Sequence, residues 1–120
     1  MAAILVHATP GPEHPTRAAL ALPVAKAALD EGHRVSLFLA SDAAQLIRDA
    51  VLDQLTGLGT GPLREHLDAL CIGGCRIYVS GMSAKARGVN DADLAGKPAA
   101  FAAPQVLVRL SLEHDRMFTC

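Results

Sequence analysis

Ala2 to Ala8 (AAILVHA), Arg17 to Glu31 (RAALALPVAKAALDE) and Arg34 to Ala40 (RVSLFLA) decide the fold between them. The first is a short, continuous apolar run closed by Thr9-Pro10-Gly11-Pro12, the pattern of a strand buried on both faces of a parallel sheet. The second is an Ala/Leu-rich helix, capped by Thr16 and stopped by Gly32, with Pro23 as a kink site. The third repeats the strand pattern. Strand, helix and strand within about forty residues make a βαβ unit, whose right-handed crossover requires the sheet to be at least partly parallel.

The rest of the chain extends that unit. Ser41 and Asp42 are N-cap candidates for a helix from Ala43 to Leu55, with Leu46, Ile47, Val51 and Leu55 near one face. Thr56 to Gly61 is a loop, and Pro62 opens a helix to about Leu70 that Gly73-Gly74 ends. Arg76 to Ser80 is a strand followed by Gly81 and a polar loop, Met82 to Asn90. Asn90 or Asp91 caps a short turn through Leu94. Pro98 to Phe101 is a weak strand, Pro104 to Glu113 a helix, and Arg116 to Thr119 a last strand. One domain over residues 1–120 is expected: an α/β, Rossmann-like three-layer sandwich on a mainly parallel sheet of about five strands. Ligands of such sheets sit at the carboxyl ends of strands, here after His7, Leu39 and Val79.

Composition narrows the function classes. With 51% hydrophobic and 19% charged residues the chain can bury a core, and at 120 residues one core is the natural number. A net charge of -1 and 3% aromatics offer neither a field for phosphate backbones nor platforms for bases, so nucleic acid is not expected as a ligand. No apolar run reaches the ~20 residues of a membrane span, and the first residues do not read as an export signal, so a cytoplasmic protein without membrane association is expected. The three cysteines, Cys71, Cys75 and Cys120, are then free thiols.

Two blocks carry a family likeness: Gly11-Pro12-Glu13-His14-Pro15-Thr16-Arg17-Ala18, and Arg76-Ile77-Tyr78-Val79-Ser80-Gly81-Met82-Ser83-Ala84-Lys85-Ala86-Arg87-Gly88. In these blocks, and in the element order across nearly the whole chain, the sequence resembles the DsrE/DsrF-like family. The resemblance implies a DsrE-like fold, assembly into a homo-oligomer (a trimer or hexamer), and a sulfur-relay setting in which several members use a cysteine at the end of the third strand. At the two positions where the family often places cysteine this chain has Ser80 and Ser83. A hydroxyl has a far higher pKa than a thiol and cannot form a persulfide, so sulfur relay by this loop is not expected.

The candidate site is therefore a binding pocket: Ser80, Gly81 and Ser83 as a polar floor, Lys85 and Arg87 as holders of a small anionic ligand, and His7 as pocket wall or proton carrier. Each has a plainer reading, as a self-bonded loop, a subunit contact and a hydrogen-bonded structural histidine. Ser80 to Lys85 spells neither Gly-x-Ser-x-Gly nor Ser-x-x-Lys, and a catalytic role is not assigned. His14, beside Glu13 and Arg17, reads as exposed. Gly57 to Gly61 follows a helix and lacks the Gly-Lys ending of a phosphate loop, so it reads as a hinge. Cys71 and Cys75, spaced Cys-x-x-x-Cys, match neither a zinc knuckle nor a redox pair, and Cys75 is expected to pack as a small hydrophobe. No metal and no cofactor are implied. The leading reading is a homo-oligomeric binding or accessory subunit, with a sulfur-relay protein as a further partner; the rival is sulfur transfer on a relocated Cys71, Cys75 or Cys120.

Overall fold

A computed structural model describes residues 1–120. In chain order the elements are β1 (Ala3–Ala8), α1 (Pro15–Asp30), β2 (Arg34–Leu39), a 3-10 helix (Ser41–Ile47), α2 (Asp49–Gln54), the short strands β3 (Thr56–Gly57) and β4 (Gly61–Pro62), and α3 (Leu63–Ile72). Then follow β5 (Arg76–Ser80), α4 (Gly81–Ala86), α5 (Asp91–Leu94), β6 (Ala99–Ala102), α6 (Pro104–Glu113) and β7 (Arg116–Thr119). The main sheet has the order β6-β5-β2-β1-β7, and every pairing in it is parallel. The α/β fold with a five-stranded parallel sheet is the one expected.

Connectivity divides the sheet into unequal faces. From β1 through β2 and β5 to β6 the chain steps in one direction, so right-handed crossovers put α1, α3 and the α4–α5 segment on one face. The return from β6 to β7 runs the other way and leaves α6 alone on the second face. The first face holds a cluster of 25 buried residues, among them Val6, Leu22, Leu37, Leu39 and Ile77, whereas the second holds Leu5, Phe38, Ala102 and Leu110. Stability therefore rests on the first face.

Several local expectations are corrected by the structure. The helix expected over Ala43 to Leu55 divides, because Arg48 adopts an extended conformation (ψ 135) between the 3-10 turn and α2. Ser41 and Asp42 do not cap it: Ser41 sits at φ 54, and both residues bond to the segment after β5. The tight turn still buries Ala43, Ala44, Leu46 and Ile47 together. Thr16 does not cap α1 either. The helix begins at Pro15, a favourable first position for proline, and the Thr16 hydroxyl accepts the Leu58 N–H at 3.0 Å, tying the β3–β4 hairpin to the helix. The segment after Ser80 is helical rather than a loop, as α4.

Thr56 to Gly61, expected as a loop and hinge, belongs to the antiparallel β3–β4 hairpin, whereas two other local signals hold. Gly32 ends α1 at φ 88, and Asn90 caps α5 in a capping box with Asp93. Gly11 is required by close approach, since a Cβ there would stand 2.5 Å from the Asp42 carbonyl oxygen. Leu37, fully buried on the first face, should lose about 2–5 kcal/mol of unfolding free energy on replacement by Ala, whereas Val108→Ser on the outer face of α6 should stay within about 0.5 kcal/mol in the monomer. Urea unfolding of the two variants measures both.

Candidate functional site

β5 delivers Ser80 to the carboxyl edge of the sheet, where the chain turns at once into α4. The Ser80 hydroxyl oxygen accepts the Ser83 N–H at 3.3 Å and thereby caps that helix. The Ser83 hydroxyl oxygen in turn accepts the N–H of Ser41 at 2.8 Å, holding Ser41 in its left-handed conformation. Arg87 closes the corner: its guanidinium donates to Asp42 Oδ1 at 2.9 Å and 2.8 Å and to the Ser83 carbonyl at 3.1 Å. The Arg87 carbonyl receives the Arg48 guanidinium at 3.2 Å. Ser80, Ser83 and Arg87 thus meet, but chiefly to fasten α4 to the 3-10 helix.

Gly81 and Lys85 line a separate cavity of about 270 Å³ with Ala84, Val89 and Phe101. Lys85 is exposed and makes no ion pair. His7 stands apart from the serines. β2 separates its strand from β5, a gap of roughly 10 Å at ordinary strand spacing, and its ring lies edge-on to Phe38 with centroids 6.0 Å apart. Burial lowers the His7 pKa, which keeps the imidazole neutral at pH 7, and its buried Nε2 has no hydrogen-bond partner. His14 is exposed, as expected, and Glu13 accepts the Gly11 N–H instead of pairing with it.

The thiols lie elsewhere. Cys75 precedes β5, so five residues of strand, roughly 16 Å, separate it from Ser80. It is buried, its Sγ donates to the Arg76 carbonyl at 3.5 Å, and burial, aided by nearby Cys71, pushes its pKa up to about 12. Cys71, at the end of α3, is also raised, by burial first and then by Asp68. Cys120 alone reaches the carboxyl edge. Its N–H donates to the His7 carbonyl at 2.8 Å, and its own carbonyl accepts from the N–H and hydroxyl of Thr9. Yet the β1–β7 register pairs His7 with Thr119, so the Cys120 side chain falls on the opposite face from the imidazole, and burial raises its pKa as well. No group of three or more His, Cys, Asp or Glu is arranged to hold a metal ion.

The Asp42–Arg87 pairing was not legible in the sequence, because it joins residues 45 apart and depends on the break at Arg48. The arrangement as a whole is a parallel α/β fold whose β5–α4 corner is locked by its own hydroxyls and one ion pair. Residues 2–120 match the DsrE/DsrF-like family, and the chain belongs to that family. The crystal structure of the YchN protein from E. coli is similar in fold, with a TM-score of 0.82 at 19% identity over 100% of both chains. No curated protein matches the sequence.

The raised Cys75 pKa has a pH signature. From about pH 9 to 12 an unfolded chain releases the proton that the folded chain keeps, so stability falls as pH rises, by about 1.4 kcal/mol per unit from this group. Urea midpoints at alkaline pH should show a steeper decline for the native sequence than for Cys75→Ala; parallel declines would remove Cys75 as the cause.

Proposed function

We propose that the chain is a DsrE-like, homo-oligomeric binding or accessory subunit related to sulfur relay, working in the cytoplasm and carrying no persulfide on its β5–α4 loop. The observation behind this reading is the state of Ser80 and Ser83: where a sulfur carrier needs a reactive thiolate, this loop has two hydroxyl oxygens already occupied by backbone N–H groups. The remaining unpaired charge on α4 is Lys85, which lines the small cavity with Phe101 and suits a small anion or an acidic segment of a sulfur-relay partner. Self-assembly is supported by the thin second face. Its single helix leaves Val108 61% and Leu112 82% exposed, one turn apart, and Met117 of β7 is exposed on the same side. No helix is long and apolar enough to cross a membrane.

The second reading, sulfur transfer on a relocated cysteine, draws on Cys120, the one thiol at the carboxyl edge. Against it stand a raised pKa and no imidazole on its own face. Treatment with sodium polysulfide, gel filtration and intact mass measurement decide between the two. The expected result is no retained sulfur after gel filtration. One added sulfur that disappears in Cys120→Ser and persists in Cys75→Ser would establish the rival. Light scattering on the same column fractions should give a trimer or hexamer; a monomer at micromolar concentration would end the assembly part of the reading.

A further inference from the structure

At the other end of the sheet, on the second face, β2, β5 and the last turn of α6 enclose a cleft of about 320 Å³ lined by Arg34, Ser36, Arg76, Tyr78, Glu113 and His114, among others. We propose that this cleft binds a small dianion, a phosphate compound or a dicarboxylate, between Arg34 and Arg76. It lies at the amino ends of the strands, opposite the β5–α4 loop, and is independent of the function proposed for that loop.

Register brings the two arginines together. Ser36 pairs with Arg76 and Phe38 with Tyr78, so Arg34, one same-face step before Ser36, is the diagonal neighbour of Arg76 on the adjoining strand. Strand spacing and rise set their Cα atoms roughly 8 Å apart, about one Debye length at physiological salt, where like charges still repel. Neither makes an ion pair with a carboxylate of the chain. Arg48, Arg64 and Arg87 each pair with an aspartate, whereas Arg34 and Arg76 pair with none, and Glu113, the one acidic residue of the lining, makes no ion pair.

The floor and wall are fixed in place. Ser36 is buried, and its hydroxyl is 3.1 Å from His114 Nε2, while His114 Nδ1 is 2.6 Å from the Leu110 carbonyl. Tyr78 stacks on Phe38 with rings 16° from parallel, and its hydroxyl has no hydrogen-bond partner in the protein. Two guanidinium forks and a phenol thus offer donors over a rigid base. Glu113 and the carbonyl end of α6 occupy one wall and oppose negative charge, so binding depends on a dianion whose oxygens engage both guanidinium groups at once.

The test uses the full chain, labelled with 15N, titrated separately with inorganic phosphate and with succinate while sodium chloride holds the ionic strength constant. Arginine Nε–H resonances are followed. At least one anion should produce saturable shifts at Arg34 and Arg76, with affinity falling about tenfold or more in Arg34→Gln and in Arg76→Gln and unchanged in Arg109→Gln, an exposed position on α6. Saturation by phosphate alone assigns a phosphate compound, and by succinate alone a dicarboxylate. Shifts that do not saturate, that appear equally at Arg109, or that survive both substitutions overturn the proposal.

Discussion

The parallel pairing of β1 with β2, Ala3 on Arg34 through Ala8 on Leu39, is the constraint from which the rest of the molecule follows. Both strands must be covered on two faces, and a parallel pair can only be joined by a crossover, so α1 has to lie over the sheet. Once that first step fixes a direction, β5 and β6 add on the same side and their helices share the first face. The asymmetry between a thick apolar layer and a thin one is thus a result of winding order. It leaves Arg34, Ser36, Arg76 and Tyr78 on a face with only one helix to cover them, while their strand neighbours Val35, Leu37 and Ile77 are sealed beneath three segments.

At the carboxyl edge, oxygen in place of sulfur changes what a corner can do. A serine oxygen is a good acceptor for a backbone amide at ordinary pH, whereas a thiol is a poor one and is useful mainly when ionised. Ser80 and Ser83 exploit the first property: one starts α4, and the other pins Ser41 in a conformation that residues with a Cβ rarely adopt. The Asp42–Arg87 pair is partly exposed and contributes modestly by itself. Its value is geometric, since it joins the same two elements from the other side and leaves the corner little freedom to open.

How much of this was legible in the sequence depended on the range of the interaction. The strands around His7, Phe38 and Val79, the stop at Gly32 and the cap at Asn90 follow from signals contained within a few residues. The break at Arg48 does not, because Leu46, Ile47, Val51 and Leu55 fit one continuous helix and only the distant bonds of Ser41, Asp42 and Arg48 to the α4 segment favour two. Thr16 misled for the same reason: a good capping residue was claimed by Leu58, 42 positions away. The separation of His7 from Ser80 also required strand order, since both are strand-end residues and only β2 between them keeps them apart. The two arginines of the cleft lie 42 residues apart and become neighbours only through register.

One feature of the sheet bears on how the chain is made. β7, the last strand in sequence, completes the outer edge of β1, the first. Between the synthesis of β1 and that of β7, the edge of β1 that β7 takes is unpaired by any other strand of this sheet, and Leu5 and Phe38 gain Leu110 of α6 only late. The first face can assemble progressively as α1 and α3 emerge, but this sheet closes late, with β1 waiting for β7 after its other neighbour is in place.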